Sequence, residues 1–356
     1  MNRTYFLGNS TPDGFVTSFW QEHRNYYGYF LKGGPGCGKS TLMKEIANAF
    51  GTETISLYRC ASDSKSLDAV VLEERGIFVV DATAPHEKTP LLPYVSGEII
   101  DLAECLNGDK IYANSHEISA LHEKNQTAHQ QAQNGMRGFT AMLDTIRGIG
   151  EKARIEDKTA AYAKRLAKRI LVPQKNQTEH IQSDRISAAF TPNGWQTLTA
   201  DGFDYLILED SFGCAAGQVL GYLANSAKHN GIPCEFSRNP FQMQQPILHL
   251  TFPTLHLSIL TVTPWFPCEI NPIQNVKMQR FYDAEQLKAK KNLTKFCIHT
   301  AQSLSAHITQ ELQTALNIHD ELEAFYVSAQ NRKKLSALTE RLISEIKTDK
   351  KRTAYA

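Results

Sequence analysis

Gly33-Gly34-Pro35-Gly36-Cys37-Gly38-Lys39-Ser40-Thr41 fits the pattern G-x-x-x-x-G-K-[ST]. At ordinary composition its four fixed positions would match by chance in a chain this long roughly 1% of the time. Glycines let successive backbone N–H groups turn toward one point, forming a positively polarised nest that side chains would block. A helix starting there adds the positive end of its dipole. In that geometry Lys39 reaches β- and γ-phosphates and the Ser40 hydroxyl is a Mg²⁺ ligand. The flanks agree: Tyr26 to Leu31 reads as a buried aromatic strand, and Thr41 to Phe50 as an amphipathic helix stopped by Gly51. The expected ligand is a nucleoside triphosphate, ATP first, held by Gly33 to Thr41.

The 356 residues leave room for two domains, and 42% hydrophobic with 21% charged residues is ordinary for a soluble protein. Lys+Arg number 38 against 37 Asp+Glu, so no charge excess points to nucleic acid or an anionic membrane. The first ten residues lack the apolar core of a signal peptide. The most apolar stretch, Ile247 to Phe266, is interrupted by His249, Pro253, His256 and Pro264 and reads as sheet rather than a membrane span. Seven cysteines without C-x-x-C spacing fit a reducing cytosol. A cytoplasmic protein is expected.

The chain also repeats itself. Thr11-Pro12-Asp13-Gly14 recurs as Thr191-Pro192-Asn193-Gly194, and Phe78 to Pro85 lies over Leu257 to Pro264. Gly36-Cys37-Gly38-Lys39-Ser40 lies over Gly213-Cys214-Ala215-Ala216-Gly217. Each copy offers a strand, a loop and a helix, then a second strand (Glu53 to Cys60, Ile232 to Phe236) and a third (Gly76 to Asp81, His256 to Val262). Long helical stretches close each copy, about Asn114 to Leu171 and Leu293 to Lys347. The predicted fold class is α/β. It comprises tandem P-loop NTPase domains of three α/β/α layers with mostly parallel sheets, each followed by a helical hairpin. The predicted domains are 1–171, with the intact loop, and 186–356, with a degenerate one, joined by a linker over 172–185.

The rest of the site belongs at the carboxyl ends of the strands. Ile77-Phe78-Val79-Val80-Asp81 has the form of a Walker B strand, which makes Asp81 the second Mg²⁺ ligand. Asp63 or Asp68, in the polar run after the second strand, is placed to position a nucleophile, or the run is a helix N-cap with Leu67 opening an apolar face. His86 lies close after Asp81 as a sensor of phosphate or acceptor. Tyr205 to Asp210 also looks like a Walker B strand, but the repeat aligns it with Tyr29 to Leu31, ahead of the loop. In the second copy Ala215 and Ala216 stand over Gly38 and Lys39, so that copy is expected to have lost nucleotide binding. Arg147, Lys152, Arg154, Lys164, Arg165, Lys168 and Arg169 are either a solvated face or a source of one completing cation.

These landmarks resemble the bacterial tandem P-loop ATPases, a family described as ATP-binding. The likeness rests on Thr11 to Gly14, Gly33 to Thr41, Cys60 to Asp68, Asp81 to His86 and Gly97 to Leu102. The resemblance implies nucleotide binding and names no substrate, and Ala215, Ala216 and Gly217 depart from the family's second intact loop. The leading expectation is an ATP hydrolase that uses Mg²⁺ and has one working site. The alternatives are a small-molecule kinase and a nucleotide-gated module that binds a protein partner with little hydrolysis. A homo-oligomer remains open.

Overall fold

The computed structural model describes residues 3–172, 182–241 and 247–348. The first copy contains β1 (Arg3–Phe6), β2 (Asn9–Thr11), β3 (Gly14–Val16), α1 (Phe19–Glu22), β4 (Tyr27–Lys32), α2 (Lys39–Ala49), β5 (Ile55–Arg59), β6 (Leu67–Leu72), β7 (Ile77–Asp81), β8 (Gly97–Asp101), α3 (Gly108–Tyr112), α4 (Ser115–Ala153) and α5 (Glu156–Ile170). The second contains β9 (Gln182–Asp184), β10 (Ala188–Thr191), β11 (Gly194–Thr197), β12 (Asp204–Glu209), α6 (Cys214–His229), β13 (Cys234–Arg238), β14 (Ile247–Phe252), β15 (Leu257–Val262), β16 (Gln274–Lys277), α7 (Ala284–Ala289), α8 (Lys291–Ala329) and α9 (Arg332–Thr348). Most of the predicted linker, 173–181, lies outside the described residues, and its last part includes β9.

The duplication is plain in the sheets. One has the order β1-β5-β6-β7-β4-β8 and the other, read from its far edge, β9-β13-β14-β15-β12-β16. In each, five strands run the same way and one, β6 or β14, runs against them. The Thr-Pro-x-Gly turns are matching hairpin ends, in which Thr11 Oγ1 donates to Gly14 O at 2.8 Å and Thr191 Oγ1 to Gly194 O at 2.9 Å. The architecture is therefore α/β, built from two repeated sheet–helix halves.

Two features differ from the sequence expectation. Leu67 opens the antiparallel strand β6 and not a helix, because Ser66 N–H and O close a tight polar turn onto Asp63 and Cys60 that sends the chain straight back. The helical cover of the first sheet is also unequal. Leu42, Met43 and Ile46 of α2 pack with Tyr29, Leu31, Val70, Val79 and, from α9, Leu335, Leu342 and Ile346. On the face carrying Phe30 and Phe78 the packing partner is Phe19 of the one-turn α1, set edge-on to Phe78 at 5.3 Å.

The compact units are likewise not the contiguous 1–171 and 186–356. One consists of 1–8, 19–131 and 310–356, the other of 9–18 and 132–309. The last helix of the second copy thus belongs with the first sheet. Asn107 N–H donates to Ala329 O (2.9 Å) and Asn331 N–H to Cys105 O (2.7 Å). In the other unit Asp283 N–H donates to Ala153 O (2.7 Å) and Ile155 N–H to Phe281 O (2.8 Å). The isolated bridges Leu106–Gln330 and Arg154–Tyr282 are one bridge read from each copy, since 282 − 106 = 330 − 154 = 176. Sequence order misled here because a helix of 39 residues, α4 or α8, carries its chain about 58 Å.

One prediction tests this assignment. Leu342→Ala, a buried site on the final helix, should cost about 2–5 kcal/mol as measured by urea unfolding of the unit that holds the glycine-rich loop. Among the described residues no helix is long and apolar enough to cross a membrane.

Candidate functional site

Strand β4 ends at Lys32, five residues turn over Gly33 to Cys37, and α2 starts at Lys39 behind Gly38. Gly38 has φ 92°, in the left-handed region that a side chain disfavours. A Cβ there would also lie 2.5 Å from Leu335 Cδ2 of α9, so the backbone favours glycine and any side chain would have to displace that leucine methyl. Gly36, with φ 69°, is pressed the same way: a Cβ would stand 2.8 Å from Glu323 O of α8. Gln330 Nε2 donates to Gly36 O at 3.1 Å. The loop is therefore held from outside by residues of the second copy, within the same compact unit.

Of the predicted ligand residues, Pro35, Gly36, Cys37, Gly38, Lys39, Ser40 and Thr41 line a cavity of about 500 Å³, within the size range of small-molecule sites. Gly33 and Gly34 contribute differently, since their carbonyls accept from Lys39 Nζ at 2.6 and 2.8 Å. Lys39 Nζ also stands 3.6 Å from Asp81 Oδ2. Parallel pairing of β4 with β7 sets Leu31 opposite Asp81, which brings that carboxylate to the loop. Asp81 Oδ1 accepts from Thr83 N–H (2.9 Å) and Thr83 Oγ1 (2.5 Å), leaving Oδ2 toward the lysine. Ser40 Oγ accepts from Leu67 N–H at 3.0 Å and keeps a second lone pair.

The two acids offered for positioning a nucleophile separate. Asp63 caps its own turn, accepting from Lys65 N–H at 3.0 Å and Ser66 Oγ at 2.5 Å, and does not line the cavity. Asp68 does line it, and is buried. Desolvation, with the neighbouring Asp81 charge second, pushes the Asp68 carboxyl up to about 8. His86 Nε2 lies 3.6 Å from Asp68 Oδ2, too far for a hydrogen bond. Burial lowers the His86 pKa, which favours the neutral imidazole. Sequence pattern did not point to His319, Glu323, Gln330 and Arg332, which line the same cavity from α8, α9 and the turn between them. No local signal marks them, because they sit almost three hundred residues beyond the loop.

A cation site fits this geometry only in part from protein atoms. Among the described residues no group of three or more His, Cys, Asp or Glu could hold a metal. Mg²⁺ characteristically takes one or two protein ligands and completes its shell with phosphate and water, and Ser40 Oγ with Asp81 Oδ2 supplies that number.

The corresponding loop of the second copy is shorter. Between Glu209 of β12 and the left-handed Gly213 (φ 73°) that precedes α6 there are three residues, Asp210 to Phe212, where the first copy has five. The helix starts therefore equate Lys39 with Cys214 and Ser40 with Ala215. This corrects the ungapped alignment that set Ala216 over Lys39. Asp210 is buried, and its Oδ2 accepts from Ala216 N–H (2.8 Å) and its Oδ1 from Phe212 N–H (3.0 Å). Tyr282 Oη donates to this carboxylate (2.8 Å to Oδ1) and accepts from Ala215 N–H (2.9 Å). The chain's own carboxylate thus sits at the helix N-terminus. Arg147 and Arg154 of the arm pair with Glu151 in this unit, at 3.0 and 2.7 Å.

The chain matches no family model, no curated protein and no solved structure.

Proposed function

We propose that this chain is an ATP-binding protein of the P-loop type, a Mg²⁺-dependent ATPase with one competent site in its first repeat. The observation that carries this is the juxtaposition at the loop. A left-handed glycine opens α2, the next residue is a lysine, and its ammonium faces the carboxylate ending the adjacent parallel strand, 3.6 Å away at the mouth of a cavity. The resemblance of the same stretch to tandem P-loop ATPases supports it.

Ser40 and Asp81 would hold Mg²⁺, which when bound would supply positive charge to offset that of the phosphates and the leaving group. The chain's own residues do the rest. Lys39 trades the Gly33 and Gly34 carbonyls for phosphate oxygens, a charge-assisted exchange. First-turn N–H groups of α2, which have no intrahelical partner, point their dipoles at the same anion. Asp68 replaces Asp63 as the carboxyl available to orient a water in the cavity. In the second repeat, Asp210 and Tyr282 take the helix N–H groups that a phosphate would need, which leaves that loop without an anion site.

Calorimetric titration with Mg-ATP tests the reading, with one nucleotide per chain expected. Two per chain would overturn the single-site part, and none would overturn the whole. Phosphate release without any acceptor separates hydrolysis from transfer to a small molecule, and binding with no turnover leaves the nucleotide-gated module.

A further inference from the structure

We propose that Arg332, brought in on the second repeat's arm, is the cation that stabilises the phosphoryl group in transfer at the first repeat's loop. The assignment rests on the ATPase reading above. Arg332 lines the same cavity as Lys39, Ser40 and Asp81. Glu45, Asp68, Asp81 and Glu323 line it too, so against four carboxyl groups Lys39 and Arg332 are its lysine and arginine.

The start of the helix that carries it marks the residue. Helix α9 opens with Arg332-Lys333-Lys334 and has no acid in its first turn, against the preference of a helix dipole for anions at that end. The equivalent helix α5 opens with Glu156-Asp157, the usual arrangement. By the 176-residue correspondence Glu156 is the counterpart of Arg332. The cation therefore stands where the loop is intact, and an acid stands in the unit where Asp210 fills the nest. A second copy that has lost its own loop still supplies this arginine.

In the step itself the oxygen of water bonds to the γ-phosphorus as the bond to the β–γ bridging oxygen breaks. ADP leaves with that electron pair, and the proton of water passes through a phosphate oxygen to solvent. Arg332 offers a planar fork of N–H donors to the γ-oxygens as charge spreads over them.

The test uses the whole chain with Arg332→Ala and Arg332→Lys, both at an exposed position. Expected for Arg332→Ala are a loss of about 10³-fold in kcat, affinity for a fluorescent ATP analogue within about threefold of wild type, and no trapped MgADP–fluoroaluminate complex. Arg332→Lys should fall between, since it keeps the charge and loses the fork. Turnover of Arg332→Ala within about tenfold of wild type overturns the assignment, as does a parallel fall in affinity and turnover, or a wild type that binds ATP yet traps no fluoroaluminate complex. A wild type that binds no Mg-ATP overturns the nucleotide reading instead.

Discussion

Lys39→Ala is expected to weaken Mg-ATP binding by about 30- to 150-fold, that is by about 2–3 kcal/mol, while leaving the chain folded. The magnitude is that of charge-assisted hydrogen bonds lost to a ligand that water cannot fully replace. Stability should hold because the two carbonyls that Lys39 now serves, Gly33 O and Gly34 O, belong to a loop bordering a cavity and can take water instead. Asp81 also loses the ammonium 3.6 Å from its Oδ2, while its two bonds from Thr83 persist. Calorimetry of the variant against wild type, with circular dichroism to check the fold, decides it. Unchanged affinity would remove the common premise of hydrolase, kinase and gated module alike.

Tyr282→Phe should destabilise the other unit by about 2–4 kcal/mol in urea or thermal unfolding. One hydroxyl does two jobs there: it donates to the buried Asp210 and accepts from Ala215 N–H. Phenylalanine removes a hydrogen bond to a charged group and leaves a buried backbone donor unpaired, each costing about 1–3 kcal/mol. The same carboxylate gives stability a direction with pH. Burial raises the Asp210 pKa, partly offset by donors from Ala216, Tyr282 and Phe212. A folded-state value above the unfolded one, about 3.9, means the folded chain holds the proton more readily. The contribution of Asp210 is then largest below about pH 4 and is lost as pH rises through the folded value. Asp210→Asn should flatten that part of the pH–stability curve, and an unchanged slope would remove Asp210 as its source.

Much of this was legible in the chain because the signals are local. Gly33 to Thr41 combines glycines, lysine and hydroxyl within one turn, and the helical periods of the arms run long enough to place the outer ends of the α4–α5 and α8–α9 pairs within a few residues, though not the breaks after Ala153 and Ala329. The place of Asp81 at a strand end was legible for a similar reason, as an acid ending four apolar residues. What escaped is non-local or depends on a gap. Strand β6 hid behind a polar turn rich in serine and aspartate, which has the composition of a helix cap. The two-residue shortening before Gly213 is invisible to an alignment without gaps, although Gly36-Cys37 and Gly213-Cys214 look alike in sequence. The contacts of Gln330 and Leu335 with the loop, and the place of Arg332 in the same cavity, join positions far apart, which no periodicity reports.

The exchange of last helices has a consequence for what a lone half could do. Residues 1–171 expressed by themselves would carry the lysine, the serine and the strand-end acid, but would bare Leu42, Met43 and Ile46 where α9 now packs. Such a fragment would have to borrow that lid from a second molecule, and two fragments could satisfy each other by trading arms. Tethering two halves in one polypeptide lets such a pair trade helices within a single chain. The loop of one half can then change in length and composition, as long as that half goes on lending its helix.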